Sequence, residues 1–150
     1  MTYCASCGYN LAEGTAFCLS CGASQNAASS AGLTNNAAGA LAYLAGIFTG
    51  IIFLVLDPYK SDCFVRFHAI QCILFNIAWI ASWFLWGVVS VFFGVFAHGF
   101  IGVAIFPGYI LLCLGGLVLW IYLMYSAYKG EIFYIPILGN IAAKQAGLPA

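Results

Sequence analysis

Four cysteines open the chain at a spacing that can hold a metal ion. Residues 1–22 read M-T-Y-C-A-S-C-G-Y-N-L-A-E-G-T-A-F-C-L-S-C-G. Cys4 and Cys7 form one C-x-x-C-G unit, Cys18 and Cys21 form another, and ten residues separate them. In such a unit two thiolates can face one ion, while the following glycine, Gly8 or Gly22, permits the tight turn. The pair of units predicts a closed four-thiolate zinc ribbon. So short a segment cannot bury a stabilising core, so the metal would supply the folding energy. With no open coordination position, that zinc would be structural rather than catalytic. Two disulfides in an oxidising compartment, or a redox C-x-x-C, are the competing readings, and four cysteines in two glycine-followed pairs argue against both. The first 36 residues contain no Lys or Arg, which argues against nucleic acid as a partner and favours a protein-docking module.

Elsewhere the residues able to do chemistry are few. F-V-R-F-H-A-I-Q-C (64–72) carries Arg66, His68 and Gln71, and Asn76 follows. On a helix His68 and Gln71 share a face, with Asn76 about 80° from His68. Polar groups in an apolar helix mark packing contacts or a functional path. Here Arg66 and His68 read first as interfacial anchors, and Asn76 as an interhelical hydrogen bonder. His98 sits in the glycine-rich stretch G-V-F-A-H-G-F-I-G (94–102). It reads first as a hydrated turn residue, with ligation of haem or a pigment as the rarer use. Cys63, Cys72 and Cys113 are scattered and read as small apolar packers. No paired carboxylates, Ser–His–Asp set or open metal set can be drawn, so a non-enzymatic protein with no evident small-molecule substrate is expected.

The elements that must position these residues follow from charge. The chain has 150 residues, 65% of them apolar and 5% charged, where a soluble domain carries roughly 25% charged residues. Most of its surface must face lipid. Between Arg66 and Lys129 lie 62 residues without a charge, and Ala37 to Leu56 gives 20 more. A span needs about 20 apolar residues. The prediction is an all-α integral membrane protein with three transmembrane helices, over about 37–56, 67–93 and 103–128. A fourth crossing around Val88 to Phe106 is the alternative. The domains are then a zinc ribbon (1–22), a small polar linker (23–36) and a helical membrane domain (37–146). Asn35 or Asn36 would cap the first helix, Asp57-Pro58 would stop it and Asp62 would cap the second. Ala38, Ala42, Gly46 and Gly50 recur every fourth residue, a seam for close packing within the chain or against another subunit. The tail 131–145 is too interrupted to span, so it returns along or into the interface and ends in a short helix from Leu138 to Ala146.

Three spans put Lys60, Arg66, Lys129 and Lys144 on one side, which the positive-inside rule makes cytoplasmic. The same count puts the ribbon opposite, where thiolates are harder to keep reduced. Four spans return the ribbon to the cytoplasm but expel Lys60 and Arg66, so the ribbon's side stays open. The first 36 residues do not read as a secretory signal peptide.

The stretches A-G-A-L-A-Y-L-A-G-I-F-T-G-I-I-F-L-V-L-D-P-Y (38–59), F-V-R-F-H-A-I-Q (64–71) and A-Y-K-G-E-I-F-Y-I-P-I-L-G-N-I-A-A-K-Q (127–145) are distinctive. Over about residues 37–146 the chain resembles a bacterial membrane family of unknown function, distantly similar to the small channel-like component of the chloroplast inner-envelope import machinery. The resemblance implies a bacterial inner-membrane location and, by fold analogy alone, a tie to translocation. The residues themselves favour a non-catalytic accessory or scaffold subunit, or an assembly factor, of a larger membrane complex such as a respiratory or photosynthetic one. Lipid and other integral membrane subunits are the expected partners. A transport or translocation component acting as an oligomer is the alternative.

Overall fold

A computed structural model describes residues 2–4, 9–12, 15, 18, 32–96 and 101–148. The described chain is mostly helical. Two-residue strands β1 (Thr2–Tyr3) and β2 (Asn10–Leu11) pair antiparallel. Helices α1 (Asn35–Leu41), α2 (Ile47–Val55), α3 (Cys63–Phe96), α4 (Ile101–Lys129) and α5 (Leu138–Ala146) follow. Among the described residues two helices are long and apolar enough to cross a bilayer, over Cys63–Val95 and Ile105–Lys129.

The expected span over 37–56 is not one helix but two short ones, α1 and α2. Thr34, rather than Asn35 or Asn36, caps α1, its hydroxyl accepting from the Ala37 amide at 3.3 Å. The helix stops at Leu41. At Gly46 the backbone takes φ +62 and ψ −126, a conformation open to glycine and closed to most side chains. Backbone groups freed at a turn inside apolar surroundings need partners. Thr49 supplies them: its hydroxyl donates to the Ala42 carbonyl at 2.7 Å and accepts from the Ala45 amide at 3.2 Å.

The unit folds back on itself, so both of its ends lie beside the start of α3. Asn35 donates to the Asp62 carboxylate at 2.7 Å, and Tyr59, just beyond α2, donates to the Leu33 carbonyl at 3.2 Å. Between these ties the chain runs along α3 and returns. Gly39 lies against Phe64 and His68, Gly46 against Asn76, and Gly50 against Ala69 and Ile73. Phe53 then closes on Tyr59, ring centroids 5.5 Å apart. From Asp62 to Asn76 is about 20 Å of helix, which sets how far the insert reaches.

After α4 a second insert runs in and out. Gly130 turns the chain at φ +79, and residues 131–135 run in as a non-helical strap. A tight γ-turn reverses it: Leu138 donates to the Pro136 carbonyl at 2.9 Å across Ile137, which holds φ 70 and ψ −58. For a β-branched residue that backbone is strained. Gly139 follows because a Cβ there would meet the Tyr134 backbone at 2.7 Å. Helix α5 then comes back out, spanning the residues expected for the short terminal helix. Ala142, Ala143 and Ala146 pack on Cys63, Phe67 and Ile70 of α3, and Gly147 ends the helix in the left-handed conformation.

Helix α3 is therefore sheathed along its first half. Phe64, Val65 and Ala69 meet the first insert, Cys63, Phe67 and Ile70 meet α5, and Cys72 and Phe75 meet Tyr43, the strap and α4. Beyond Asn76, among the described residues, only α4 accompanies it, antiparallel. Tryptophans explain how closely: a Cβ at Gly116 or Gly108 would fall within the rings of Trp79 or Trp86, and Trp83 stacks on Tyr109 at 5.7 Å. The tryptophan stripe is thus the packing face of the hairpin. Ile77, Ile80, Phe84, Val88, Val91 and Val95 point away from the chain. Pro107 lies inside α4, where it withholds one amide from the helical ladder.

Candidate functional site

The first half of α3 carries a buried polar cluster where the two inserts meet. Tyr43, at the lower end of the first insert, is held by its neighbours on both sides: Trp120 of α4 donates to its carbonyl at 2.9 Å. Its hydroxyl lies 3.2 Å from His68 Nδ1 and accepts from Gln71 Nε2 at 3.3 Å. The hydroxyl can accept from Gln71 and still either donate to or accept from His68 Nδ1, the direction following the imidazole tautomer. Gln71 Nε2 also donates to the Phe133 carbonyl of the strap at 3.0 Å. One side chain of α3 thereby braces both inserts.

Tyr43, His68 and Gln71 are fully buried. Three rings stand edge-on around the imidazole: Phe64 at 4.5 Å, Phe67 at 5.2 Å and Tyr43 at 5.9 Å. No face of His68 is open to a macrocycle. His68 Nε2 and Gln71 Oε1 have no hydrogen-bond partner, the two polar atoms this brace leaves over. A little deeper, the Cys72 thiol donates to the Gly46 carbonyl at 3.4 Å, and Asn76 donates to the Cys72 carbonyl at 2.9 Å while flooring the Gly46 turn.

The other predicted residues fall as follows. Arg66 is at the outer end of the cluster, where it donates to the Gln145 carbonyl at 2.9 Å and pins α5. Asp62 caps α3 as expected, accepting from the Val65 amide at 3.0 Å. Ala38 of α1 and Ala42, which caps that helix, pack on α3, and Gly50 packs on it from α2, so the small-residue seam is divided around the turn. Gly46 is the turn between them. His98 lies outside the described residues. Tyr43, Thr49 and the Phe133 carbonyl were not foreseen. Tyr43 and Thr49 are the two polar side chains of the run 37–56, and their need for partners in apolar surroundings was the available signal.

The expected zinc is corrected. Among the described residues no group of three or more His, Cys, Asp or Glu side chains could hold a metal ion. Cys4 and Cys18 are buried in one small cluster with Leu11. Cys7 and Cys21 lie outside the described residues. The described residues thus give the expected zinc no ligand set, and the small antiparallel pair β1–β2 is what the structure shows of the N-terminal segment.

An open, apolar groove of about 840 Å³ runs along the far half of the hairpin, past Phe84, Val88, Val91 and Tyr109. It holds none of the predicted site residues and faces where acyl chains would lie.

Comparison with known proteins places this architecture. The model of the MamF/MmsF family, described as a magnetosome magnetite crystal formation protein family, matches residues 26–142. A UPF0132 membrane protein of Methanocaldococcus jannaschii is 41% identical over 114 residues, covering 75% of this chain and 89% of its own length. One from Archaeoglobus fulgidus is 36% identical over 115 residues, covering 77% and 98%. A second M. jannaschii protein of that description is 32% identical, covering 75% and 71%. No solved structure matches. These findings overturn the expected kinship. The F-V-R-F-H-A-I-Q and I-P-I-L-G-N stretches lie within the MamF/MmsF match, and the relatives are archaeal membrane proteins rather than a bacterial, import-machinery-like family. The cysteine-bearing segment precedes the matched region.

Proposed function

Since the chain belongs to the MamF/MmsF family, we propose that it is a non-catalytic scaffold protein of the membrane, an accessory subunit or assembly factor whose work is done by its surfaces. One observation carries this reading: the polar side chains of the interior are engaged in holding the inserts. Tyr43, Gln71 and the Phe133 carbonyl form ties within the chain, and Arg66 ties α5. Carried over to this chain, the family's description makes the scaffold one that serves magnetite formation, while the archaeal relatives are described only as membrane proteins.

In the arrangement proposed, α3 and α4 cross the bilayer and the two inserts enter from one face and return to it. Lys60, Arg66, Lys129 and Lys144 all lie at that face, and the far turn has no cation, so the cationic face is cytoplasmic. The N-terminal segment enters α1 at the same face.

The test is isolation from the native membrane in a mild detergent, followed by native mass measurement. The expected result is a particle larger than one chain with defined companions. A stable monomer with no associated subunits sinks the scaffold reading. Transport by an oligomer is the second reading, and the non-helical backbone of the inserts favours it, because such backbone at depth is tolerated where it is buried in protein or lines a water-filled path. Ion or peptide flux in reconstituted vesicles no greater than in empty ones counts against it.

A further inference from the structure

The protein is much wider at one end than at the other. Near Phe64–Phe75 a section through the molecule cuts α1, α2, α3, α4, α5 and the strap. Past Asn76, among the described residues, it cuts α3 and α4 alone. With helix diameters of about 10–12 Å, the wide section occupies on the order of 500 Å² and the narrow one roughly 200 Å². The change is abrupt, because both inserts turn back near one level: the first at Gly46 beside Asn76, the second at Ile137, just after Ile135 packs near Cys72 and Phe75.

The charges locate that level in a bilayer. Asp57, Lys60, Asp62, Arg66, Lys129, Glu131 and Lys144 cluster at the wide end. Arg66 donates to the last turn of α5, and Asn36, at the start of α1, lies against Gly130. If the hydrocarbon begins about where these charges end, Asn76 is ten residues past Arg66, about 15 Å deeper. The apolar span Cys63–Val95 has its middle near Trp79, so Asn76 lies close to mid-span. The inserts fill one leaflet and stop at the midplane, and the other leaflet holds two helices.

We propose that the chain is a membrane wedge, whose further activity is to seek and stabilise curved bilayer, with the insert-bearing, cationic end in the convex leaflet. The partner is the lipid surface itself. A flat bilayer gives both leaflets equal area, so lipid must crowd around the wide end or stretch around the narrow one. In a vesicle of about 30 nm diameter the outer leaflet exceeds the inner by roughly half, and in one of about 200 nm by only a few per cent, for a hydrocarbon core of about 30 Å. The smaller sphere relieves more of the mismatch, and it does so for one orientation only. The internal ties give the wedge its stiffness: Gln71 holds Tyr43 and Phe133 to α3, and Arg66 holds α5. This inference rests on the proposed arrangement in which both inserts enter from one face.

The test uses the full chain, carrying a protease-cleavable tag at each terminus. It is reconstituted into phosphatidylcholine–phosphatidylglycerol vesicles, which are then separated by size from about 30 to 200 nm, a range over which wedge-like insertion is curvature-sensitive. The expected result is a protein-to-lipid ratio at least about threefold higher in the smallest fraction, with both tags cleaved from outside in about nine molecules in ten there and nearer half in the largest. A flat ratio, with cleavage near half at every size, overturns the wedge. Tags on opposite sides of the same vesicle overturn the arrangement beneath it, and with it the wedge.

Discussion

Tyr43 joins three segments through one hydroxyl and one carbonyl. Replacing it with phenylalanine keeps the ring and removes the hydroxyl that partners His68 Nδ1 and Gln71 Nε2. A lost buried hydrogen bond costs about 1–2 kcal/mol, and in a membrane interior toward the lower end of that range. Tyr43→Phe should therefore lower the thermal midpoint in detergent by a few degrees, at about 2–4 °C per kcal/mol for a chain of this size. An unchanged midpoint refutes the brace. The sequence showed the His68–Gln71 face, because helical spacing alone puts them together. It could not show Tyr43 between them, since that contact spans 25 residues and depends on the first insert folding back.

At the scale of elements, the two reversals are the weak points. Gly46→Ala forces a side chain into φ +62 and brings a Cβ to 2.8 Å from the Asn76 amide oxygen. The expected cost is about 1–3 kcal/mol. Adding Asn76→Ala should recover part of the loss by removing the collision while leaving the backbone strain, and full additivity of the two substitutions in unfolding measurements would refute the contact. Gly139→Ala meets backbone rather than a movable side chain, at 2.7 Å from Tyr134, so no second substitution rescues it. Its expected signature is local: amides of α5 exchange faster with deuterium while those of the α3–α4 hairpin stay protected. Protection unchanged in α5 would show that the turn adapts. The terminal helix and the Asp62 cap were legible because local rules make them. The break in 37–56 was not, because a uniform apolar run shows no boundary between crossing a bilayer and turning back within it.

For the whole molecule, the proposed orientation rests on the distribution of charge. With all four cations at one face, exchanging Lys60, Lys129 and Lys144 for glutamine and adding two lysines to the turn between α3 and α4 should invert a large share of molecules. Terminal-tag accessibility in intact cells checks this, and an unchanged orientation would mean that another feature sets it. The sequence by itself determined that the chain lives in a membrane, is helical, and bears its cations outside the apolar runs, because composition and charge spacing act locally and need no partner in space. That the run 37–56 folds as two short helices rather than one long one was decided by tertiary structure. A segment of 20 apolar residues is long enough to span, and only the ties from Asn35 to Asp62 and from Tyr59 to Leu33, joining residues far apart in sequence, turn it back to the face it came from.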